Sequence, residues 1–495
     1  MRKKLINEKI YLLILLLPLS VACKKLVTIP PPKHSISTEQ MFETDNQAEG
    51  ALAGIYSVMI NGASTTQTQS AALNSWSAGL VSLLGSLSGG DYYNANLSGD
   101  LDFYEHATNN LKIQGRARSD AMWTTAYSSI YGANSIVEGV AASTSSKLSA
   151  KARKELTAEA KLVRAMAYFY LVNFYGDVPL VLTVNFHETI AMEKTPAAKV
   201  YDQVISDLKD AWQNLRDDFS TGKGERVRPN KWAAAALLSR VYLYTKNYTG
   251  AYEMASEVIR QQQIFELETD LNKSFLATSK EAIWQLKQTT QNTRMGNATP
   301  YGMQTVTSSV RIANFRLTDQ LLNTFEAGDK RRDNWVAQTN NSEAGQAPVI
   351  SWFPAKYKLG NHNFTSTSPK EYFMVLRLAE LFLVRAEAQA HGAGDGLSAA
   401  IDDLNVIRHR AGLEDLPESL SNDELFLAIE KERQLELFAE WGHRWFDLKR
   451  TGRATVVLPE IPMKAPWRGD FQLLYPIPDK EIQENGMLIQ NPGYF

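Results

Sequence analysis

Glutamates spaced four residues apart are the densest group of side chains in this sequence that could do chemistry. Glu432, Glu436 and Glu440 recur at this spacing and Arg444 follows, so one continuous helix would place all four on one face. Two carboxyl groups about 5–10 Å apart across a cleft can hydrolyse a glycosidic bond. Glu432 and Glu436 are therefore the candidate pair of a helical glycoside hydrolase.

The same spacing also suits a ladder of ion pairs between two helices, and this second interpretation is favoured. The segment at residues 377–388 supplies Arg377, Glu380, Arg385 and Glu387 as partners. Glutamates at helical spacing that are matched by arginines usually stabilise a contact between elements. We therefore predict that the protein is not an enzyme and that it has no catalytic residues.

Aromatic side chains in two irregular stretches, residues 60–115 and 264–370, are the second candidate for chemistry. Rings suit carbohydrate because the apolar C–H face of a sugar stacks on them, while polar neighbours such as Asp91 bind its hydroxyl groups. The competing interpretation is that these rings only hold long loops against the core. We predict a ligand site built from both stretches, with the residues Trp76, Tyr92, Tyr93, Asn94, Asn96, Tyr301, Trp335 and Trp352.

Other catalytic and metal-binding patterns are absent from the sequence. There is no HExxH, GxSxG, GxxxxGK[ST], GxGxxG or EF-hand loop, and no two of the 7 histidines lie three or four residues apart. We therefore expect no cofactor, and no sequence motif supports calcium binding. The 52 Lys and Arg residues against 54 Asp and Glu residues leave no basic excess, so nucleic acid is not an expected partner.

The apolar pattern of the chain indicates mostly helices. Helix-turn-helix pairs dominate, and the pair at 232–263 fits the tetratricopeptide pattern, in which large and small residues interlock two helices. Without alternating strands and helices, a Rossmann fold, a TIM barrel or a two-lobed α/β binding protein is not expected. Apolar stripes of period 3.6 predict helices at 37–58, 120–140, 156–175, 199–215, 230–244, 250–261, 372–390, 397–410 and 423–450.

The first 23 residues predict a lipoprotein signal peptide. Basic residues precede an apolar run at residues 10–17, which is too short for a transmembrane helix. Cys23, the only cysteine of the chain, follows directly. The segment resembles a bacterial lipobox in which Ser20 replaces the usual leucine. We expect cleavage before Cys23 and acylation of its thiol, which would anchor the protein to a membrane.

These patterns give a fold class and a division of the chain. The fold class is mainly α, with tetratricopeptide-like repeats as a scaffold and an irregular, loop-rich ligand-binding lobe. Within the single domain, we place the scaffold at about 37–60, 118–263 and 372–450 and the lobe inserts at about 60–115 and 264–370. The three parts of the chain are a signal peptide at 1–22, a lipid-anchored tether at 23–36 and that domain at 37–495.

Several segments, taken in their order along the chain, together resemble the SusD/RagB family of nutrient-binding outer-membrane lipoproteins. The resemblance covers nearly the whole mature chain and is weakest in the two inserts. The segments that carry it include EAKLVRAMAYFYLVNFYGDVPLV, RPNKWA, LRLAELFLVRAEA, LNVIRHRAGL, ERQLELFAEWGHRWFDLKR and IPDKEIQENGMLIQNPGY.

The resemblance implies a helical protein with four tetratricopeptide-like units that captures a glycan or another nutrient without catalysis. It implies a palmitate-type lipid on Cys23 and a place on the outer face of a Gram-negative outer membrane. It also implies a SusC-like TonB-dependent transporter as the partner that receives the ligand. Lys24 and Lys25 depart from the acidic residues often linked to surface export in this group. A peptide or protein-fragment receptor of the same build is the alternative.

Overall fold

The described part of the chain is mostly helical, as the sequence predicted. In the computed structural model, Cys23 and Asn96 lie outside the described residues. No helix within the described ranges is long and apolar enough to cross a bilayer. The described residues are 38–62, 75–94, 101–114, 117–288, 297–308, 313–341, 349–360, 362–363 and 370–494.

Helices and short strands alternate unevenly along the chain, with the strands confined to the lobe and its junction with the scaffold. The helices used below are α1 (Asp45–Asn61), α2 (Leu80–Gly89), α3 (Leu101–Ala107), α4 (Ala117–Ala142), α5 (Ala150–Tyr175), α6 (Ala197–Asn214), α7 (Lys231–Tyr244), α8 (Tyr248–Ile259), α9 (Pro300–Thr305), α10 (Lys330–Trp335), α11 (Leu378–Ala390), α12 (Leu397–Arg410), α13 (Asn422–Leu437) and α14 (His443–Arg450). The strands are β1 (Tyr92–Asn94), β2 (Ala282–Leu286), β3 (Phe315–Leu317), β4 (Val336–Asn341), β5 (Val349–Pro354) and β6 (Phe373–Arg377).

Successive helices of the scaffold pack against one another as a continuous array. α4 packs on α5, α5 on α6, α6 on α7, α7 on α8, α8 on α11, and α11 on both α12 and α13. The predicted pair at 232–263 is confirmed as α7 and α8. Asn230 and Asn247 start these two helices because each side chain accepts hydrogen bonds from backbone N–H groups of the first turn.

A buried ion pair joins α5 to its neighbouring scaffold helices. Arg164 on α5 donates from Nε and Nη2 to the two carboxylate oxygens of Asp207 on α6, at 2.8 Å each. Its Nη1 donates to Asn134 on α4, also at 2.8 Å. Because a buried charge needs a partner, this geometry fixes the register of three helices at once.

The helix predicted at 423–450 is in fact two helices, α13 and α14. The chain turns sharply after Leu437, where Trp441 and Gly442 have positive φ values of 43° and 69°. α2 crosses at this corner, and a Cβ on Gly85 would collide with the Cα of Gly442. Periodicity could not reveal the break because the apolar spacing continues through the corner.

The segment predicted as one helix at 372–390 begins as a strand. Residues 373–377 form β6, which pairs with β2 in an antiparallel sheet, and only then does α11 begin. β6 is buried along its whole length, so an uninterrupted apolar run is compatible with either element. The stretch at 60–115, predicted to be mostly loop, contains the fully buried α2 as its main helical piece.

The strands form two-stranded antiparallel sheets wherever the structure describes them. β1 pairs with β3, β2 with β6, and β4 with β5. β3 also lies beside β5, with Cα atoms within 8 Å of one another. The first and third of these sheets therefore form one continuous region of the lobe.

Candidate ligand-binding surface

The two predicted inserts meet at the β1–β3 sheet. β1 comes from the first insert and β3 from the second, and Tyr93 lies directly opposite Arg316 in their antiparallel register. α3 closes one side of this sheet, where the rings of Phe103 and Phe315 make an edge contact at 4.9 Å. Residues far apart in sequence are thereby brought to one surface.

Alternation along the strands decides which side chains face outward. Side chains of a strand point to opposite faces in turn, so Tyr92 and Asn94 point inward while Tyr93 between them is only half-buried. In β3, Arg316 is likewise half-buried between two buried apolar residues. Tyr93 and Arg316 thus face the same outward side.

Two of the predicted ligand rings, Tyr92 and Tyr301, bind each other inside the core. Their hydroxyl groups share a hydrogen bond of 2.8 Å, and both rings are fully enclosed. Burial, reinforced by the neighbouring Tyr301 hydroxyl, raises the pKa of Tyr92 well above its ordinary value. The pair is therefore neutral and has no free hydroxyl facing solvent.

Two more of the predicted rings, Trp76 and Trp335, are also core residues. Trp76 donates from Nε1 to the hydroxyl of Ser129 at 3.0 Å, and Trp335 donates from Nε1 to the carbonyl of Leu271 at 3.0 Å. Both side chains are 0% exposed. A buried indole whose N–H is paired contributes to stability and offers no face to a ligand.

The site prediction therefore needs a correction at four rings. Tyr92, Tyr301, Trp76 and Trp335 cannot stack on a sugar in this structure because core side chains already cover their faces. The remaining candidates in the described part of the chain are Tyr93, Asn94 and Trp352. The role of these three residues stays a prediction.

Trp352 lies on the outward side of β5. It is half-buried between the buried Ser351 and Phe353, in register with Gln338 on β4. The guanidinium carbon of Arg332, on α10, lies 4.1 Å from the centroid of the Trp352 ring. This distance is typical of a guanidinium stacked on an aromatic face.

A second arginine lies over the other outward ring. The guanidinium carbon of Arg316 is 5.8 Å from the centroid of the Tyr93 ring. Because β3 lies beside β5, the two ring–arginine pairs belong to neighbouring strands of the lobe. We call Tyr93, Arg316, Arg332 and Trp352 together the aromatic–arginine surface.

Sequence reasoning missed both arginines of this surface. Arg316 could have been found from the pattern of β3, where a basic residue alternates with Phe315 and Leu317. Arg332 carries no such signal, since it follows Arg331 in a run of charged residues. Only the structure separates the buried Arg331 from the half-exposed Arg332.

Polar neighbours proposed for the site are mostly enclosed. Asp91 is buried and accepts a hydrogen bond of 2.9 Å from Gln434. Burial raises the pKa of Asp91 to about 6. Asn94 is buried as well. Across the described ranges, no three His, Cys, Asp or Glu side chains come together in a way that could hold a metal ion.

The glutamates at four-residue spacing are buried in a network of arginines. Glu432 accepts from Arg331 and Arg408 at 2.8 Å each. Glu436 accepts from Arg377 and from a further arginine on α12. The predicted ion pairs between these glutamates and the segment at 377–388 are therefore present for Arg377. The other residues predicted for the ladder form ion pairs with different partners. Arg385 binds Asp403, Glu380 binds Arg240, Glu387 binds Arg450 and Arg444 binds Glu430.

The buried arginines of this network neutralise the charge of Glu436. Burial alone would raise the pKa of Glu436, but the surrounding guanidinium groups outweigh it and hold the pKa well below its ordinary value. Glu432 and Glu436 are both 1% exposed or less. A glycosidase pair needs an open cleft, and these two buried carboxylates do not face one.

A cavity of about 520 Å³ lies elsewhere, between the scaffold helices α7, α8, α11, α13 and α14. Its charged lining is largely neutralised, because Arg450 binds Glu387 and Arg433 binds Asp447. None of the predicted ligand residues lines it. The cavity is therefore separate from the aromatic–arginine surface.

Comparison with known proteins gives the family of the chain. A family model described as the SusD family matches residues 213–494, which is more than half of the chain. The chain belongs to the SusD family. A second model, described as starch-binding associating with outer membrane, matches residues 88–243 of this SusD-family chain. The predicted resemblance is thus confirmed.

Similar proteins extend over most of this SusD-family chain. SusD-like protein P2 of Formosa agariphila is 28% identical, and the alignment covers 98% of this chain and 99% of that protein. The starch-binding protein SusD of Bacteroides thetaiotaomicron is 24% identical, over 68% of this chain and 72% of its own length. The similarity therefore extends beyond a single repeat.

Solved structures confirm the SusD-like helical fold. A SusD superfamily protein from Bacteroides vulgatus superposes with a TM-score of 0.74 at 20% identity, covering 92% of this chain and 100% of that chain. A laminarin-binding SusD-like protein superposes with a TM-score of 0.70 at 24% identity, again covering 92% and 100%. At these identities the likeness establishes the architecture.

Proposed function

We propose that this SusD-family protein binds a glycan without hydrolysing it and delivers it to a SusC-like TonB-dependent transporter. Binding takes place on the lobe, at the aromatic–arginine surface and the chain segments that border it. The scaffold helices provide the surface that docks on the transporter. A lipid on Cys23 holds the protein at the outer membrane, facing the exterior.

One observation carries the proposal. In a chain of the SusD family, the two inserts pair in β1 and β3, and Tyr93 and Trp352 remain partly exposed on strands of the lobe. Stacking on a ring is a favourable way to bind a sugar, because the ring has few torsions to fix and its face is apolar. Similar proteins named for starch and laminarin support a glycan as the ligand class.

The burial of the paired glutamates supports a function without hydrolysis. Glu432 and Glu436, the carboxylates whose spacing suggested catalysis, are committed to arginines in the core. Purified protein should release no reducing sugar from a glycan that it binds. Release that disappears in Glu432→Gln would contradict this part of the proposal.

The lipid anchor and the transporter partner are tested by two separate experiments. Mass spectrometry of the mature protein should find its N-terminus at Cys23, with the thiol acylated. A mature chain with a free Cys23 thiol would contradict the anchor. Purification from outer membranes in mild detergent should recover a large β-barrel protein, and repeated recovery of this chain alone would contradict the partner.

A glycan array probed with residues 24–495 tests the central part of the proposal. We expect binding to one class of oligosaccharide, and weaker binding by Trp352→Ala with an unchanged melting temperature. Trp212→Ala is a matched control, since Trp212 is a partly exposed tryptophan of the scaffold. Binding to peptides but to no glycan would instead favour a peptide receptor of the same build.

A further inference from the structure

We propose that the glycan bound by the aromatic–arginine surface is anionic, carrying carboxylate or sulfate groups. This inference rests on the proposed function and specifies its substrate class. It is carried by Arg316 and Arg332, which lie over the two outward rings and have unused hydrogen-bond donors. The same surface would then contact both the apolar face and the charged groups of a sugar.

The two adjacent arginines of α10 differ in burial and in their hydrogen-bond partners. Arg331 is buried, and it binds Asp329 and Glu432 at 2.8 Å each. Arg332 is half-exposed, and among the described residues no carboxylate lies within 4.0 Å of it and no acceptor binds its side chain. Arg331 is therefore committed to the fold, whereas no acceptor among the described residues uses the five N–H donors of Arg332.

Stacking on Trp352 orients these donors without using them. A guanidinium that lies flat over a ring contacts it through its face, while its N–H groups point outward in the guanidinium plane. That plane matches the two oxygens of a carboxylate or the oxygens of a sulfate, which accept paired hydrogen bonds. Arg332 is thus held in place to bind an anion beside a sugar stacked near Trp352.

Arg316 lies near the ring of Tyr93 at a longer distance, 5.8 Å from the guanidinium carbon to the ring centroid. Its only hydrogen bond to the described residues runs from Nε to the carbonyl of Ala313, at 3.4 Å. Both terminal nitrogens are therefore free of protein acceptors in the described part of the chain. Across these residues, no ion pair joins Arg316 to a carboxylate either.

The charge balance of the surrounding sequence agrees with an anionic ligand. Residues 282–318 contain four basic residues and no Asp or Glu, in a chain whose net charge is −2. The nearest acidic residues in sequence are Asp319, close to Arg316, and Asp333, next to Arg332. Both are exposed, and neither forms an ion pair with these arginines among the described residues.

A neutral glycan would fit this surface less well. Ligand binding removes water from both guanidinium groups, and the hydroxyl groups of a neutral sugar replace that hydration only in part. Carboxylate or sulfate oxygens compensate fully, because charge-assisted hydrogen bonds are stronger than neutral ones. Selectivity for charge therefore follows from Arg316 and Arg332, whereas apolar contact with the exposed parts of Tyr93 and Trp352 serves either kind of sugar.

Calorimetric titration with three defined oligosaccharides tests the inference. The probes are a tetragalacturonide, a sulfated galactan tetrasaccharide and a neutral laminarin tetrasaccharide. We expect at least one anionic probe to bind ten-fold or more tightly than the neutral one, with an affinity that falls as salt rises. The two anionic probes distinguish carboxylate from sulfate as the recognised group.

Substitutions of the two arginines test whether they cause the preference for anionic oligosaccharides. Arg332→Gln and Arg316→Gln should each weaken anionic binding about ten-fold and leave the melting temperature unchanged. Arg332→Lys, which keeps the charge but loses the planar fork, should recover only part of the affinity. Arg260→Gln is the matched control, because Arg260 is an exposed scaffold arginine. Its affinity should equal that of the wild type.

The outcomes distinguish failure of the anionic inference from failure of the proposed glycan-binding function. Equal or tighter binding of the neutral probe, or Arg332→Gln and Arg316→Gln variants that bind like the wild type, would overturn the anionic inference alone. Glycan binding that still depends on Trp352 would leave the proposed function intact. Failure of every probe here and of the whole glycan array would overturn both.

Discussion

Arg377 binds both carboxylate oxygens of Glu440, from Nε and from Nη2, at 2.8 Å each. Arg377 ends β6, and Glu440 lies in the corner between α13 and α14. Both side chains are nearly inaccessible to water, at 2% and 7% exposure. The pair therefore joins the strand that borders the lobe to the helices of the scaffold.

Breaking this pair should destabilise the fold severely. Arg377→Met removes the guanidinium that Glu440 and Glu436 share, although Glu440 keeps Lys356 and Glu436 keeps the arginine on α12. Removing one partner of a buried ion pair typically costs about 3–5 kcal/mol, and we expect a loss near the lower end of that range. Urea unfolding followed by circular dichroism would measure the loss. Arg260→Met, at an exposed scaffold position, should stay within about 0.5 kcal/mol of the wild type. An equally small loss for Arg377→Met would refute the structural role of the network.

Asp91 should make stability depend on pH in the acid range. Its pKa is about 6 in the folded protein and 3.8 for the unperturbed group, because burial disfavours the charged form. The unfolded chain therefore ionises first as the pH rises, and the contribution of protonated Asp91 to stability is lost between about pH 4 and 6. A difference of roughly two pKa units corresponds to about 3 kcal/mol.

Asp91→Asn, which stays neutral, should therefore be more stable than the wild type above pH 6 and similar to it below pH 4. Thermal unfolding across this pH range would measure the difference. Asp402→Asn, an exposed carboxylate on α12, serves as the control and should show no such crossover. A wild type that is more stable than Asp91→Asn at pH 8 would contradict this prediction.

The corner between α13 and α14 should tolerate no side chain at Gly85. A Cβ there would collide with the backbone of Gly442, which cannot move aside as a flexible side chain could. We expect Gly85→Ala to lose about 1–3 kcal/mol or more through overpacking. Gly54→Ala on α1 meets nothing within 4 Å and should instead gain up to about 1 kcal/mol from helix propensity. Equal unfolding midpoints for the two variants would contradict the close approach.

Two tryptophans of the second insert should behave differently. Trp335→Ala removes a fully buried ring and leaves the Leu271 carbonyl without its donor, so a loss of about 3–5 kcal/mol is expected. Trp352→Ala should cost clearly less, since the ring is half-exposed on the lobe. Guanidinium unfolding of both variants provides the comparison. A larger loss for Trp352→Ala would mean that its ring, too, serves mainly the core.

The sequence predicted the scaffold helices well because the apolar stripe of a helix repeats over many residues. The pair α7–α8 and the long α5 carry apolar stripes and capping residues such as Asn230. The break at Gly442 and the strand at 373–377 escaped prediction. Both are imposed by packing against distant segments, α2 and β2, and not by local periodicity.

The sequence predicted the contact between the two inserts better than it predicted which of their rings are exposed. Both inserts do meet, yet ring type alone could not separate the enclosed Trp335 from the half-exposed Trp352. Alternation within a strand would have separated Tyr92 from Tyr93, since neighbours in a strand face opposite sides. Arg332 could not be predicted, because its position over Trp352 depends on how α10 lies against β4, the partner strand of β5.

The most direct test of the account is the affinity of Trp352→Ala and Tyr93→Ala for the best glycan of the array, measured by isothermal titration calorimetry. We expect each variant to lose about 1–3 kcal/mol of binding free energy, as is usual for ring contacts at a binding site, with an unchanged melting temperature. Wild-type affinity in both variants would contradict it and place the ligand elsewhere on the protein.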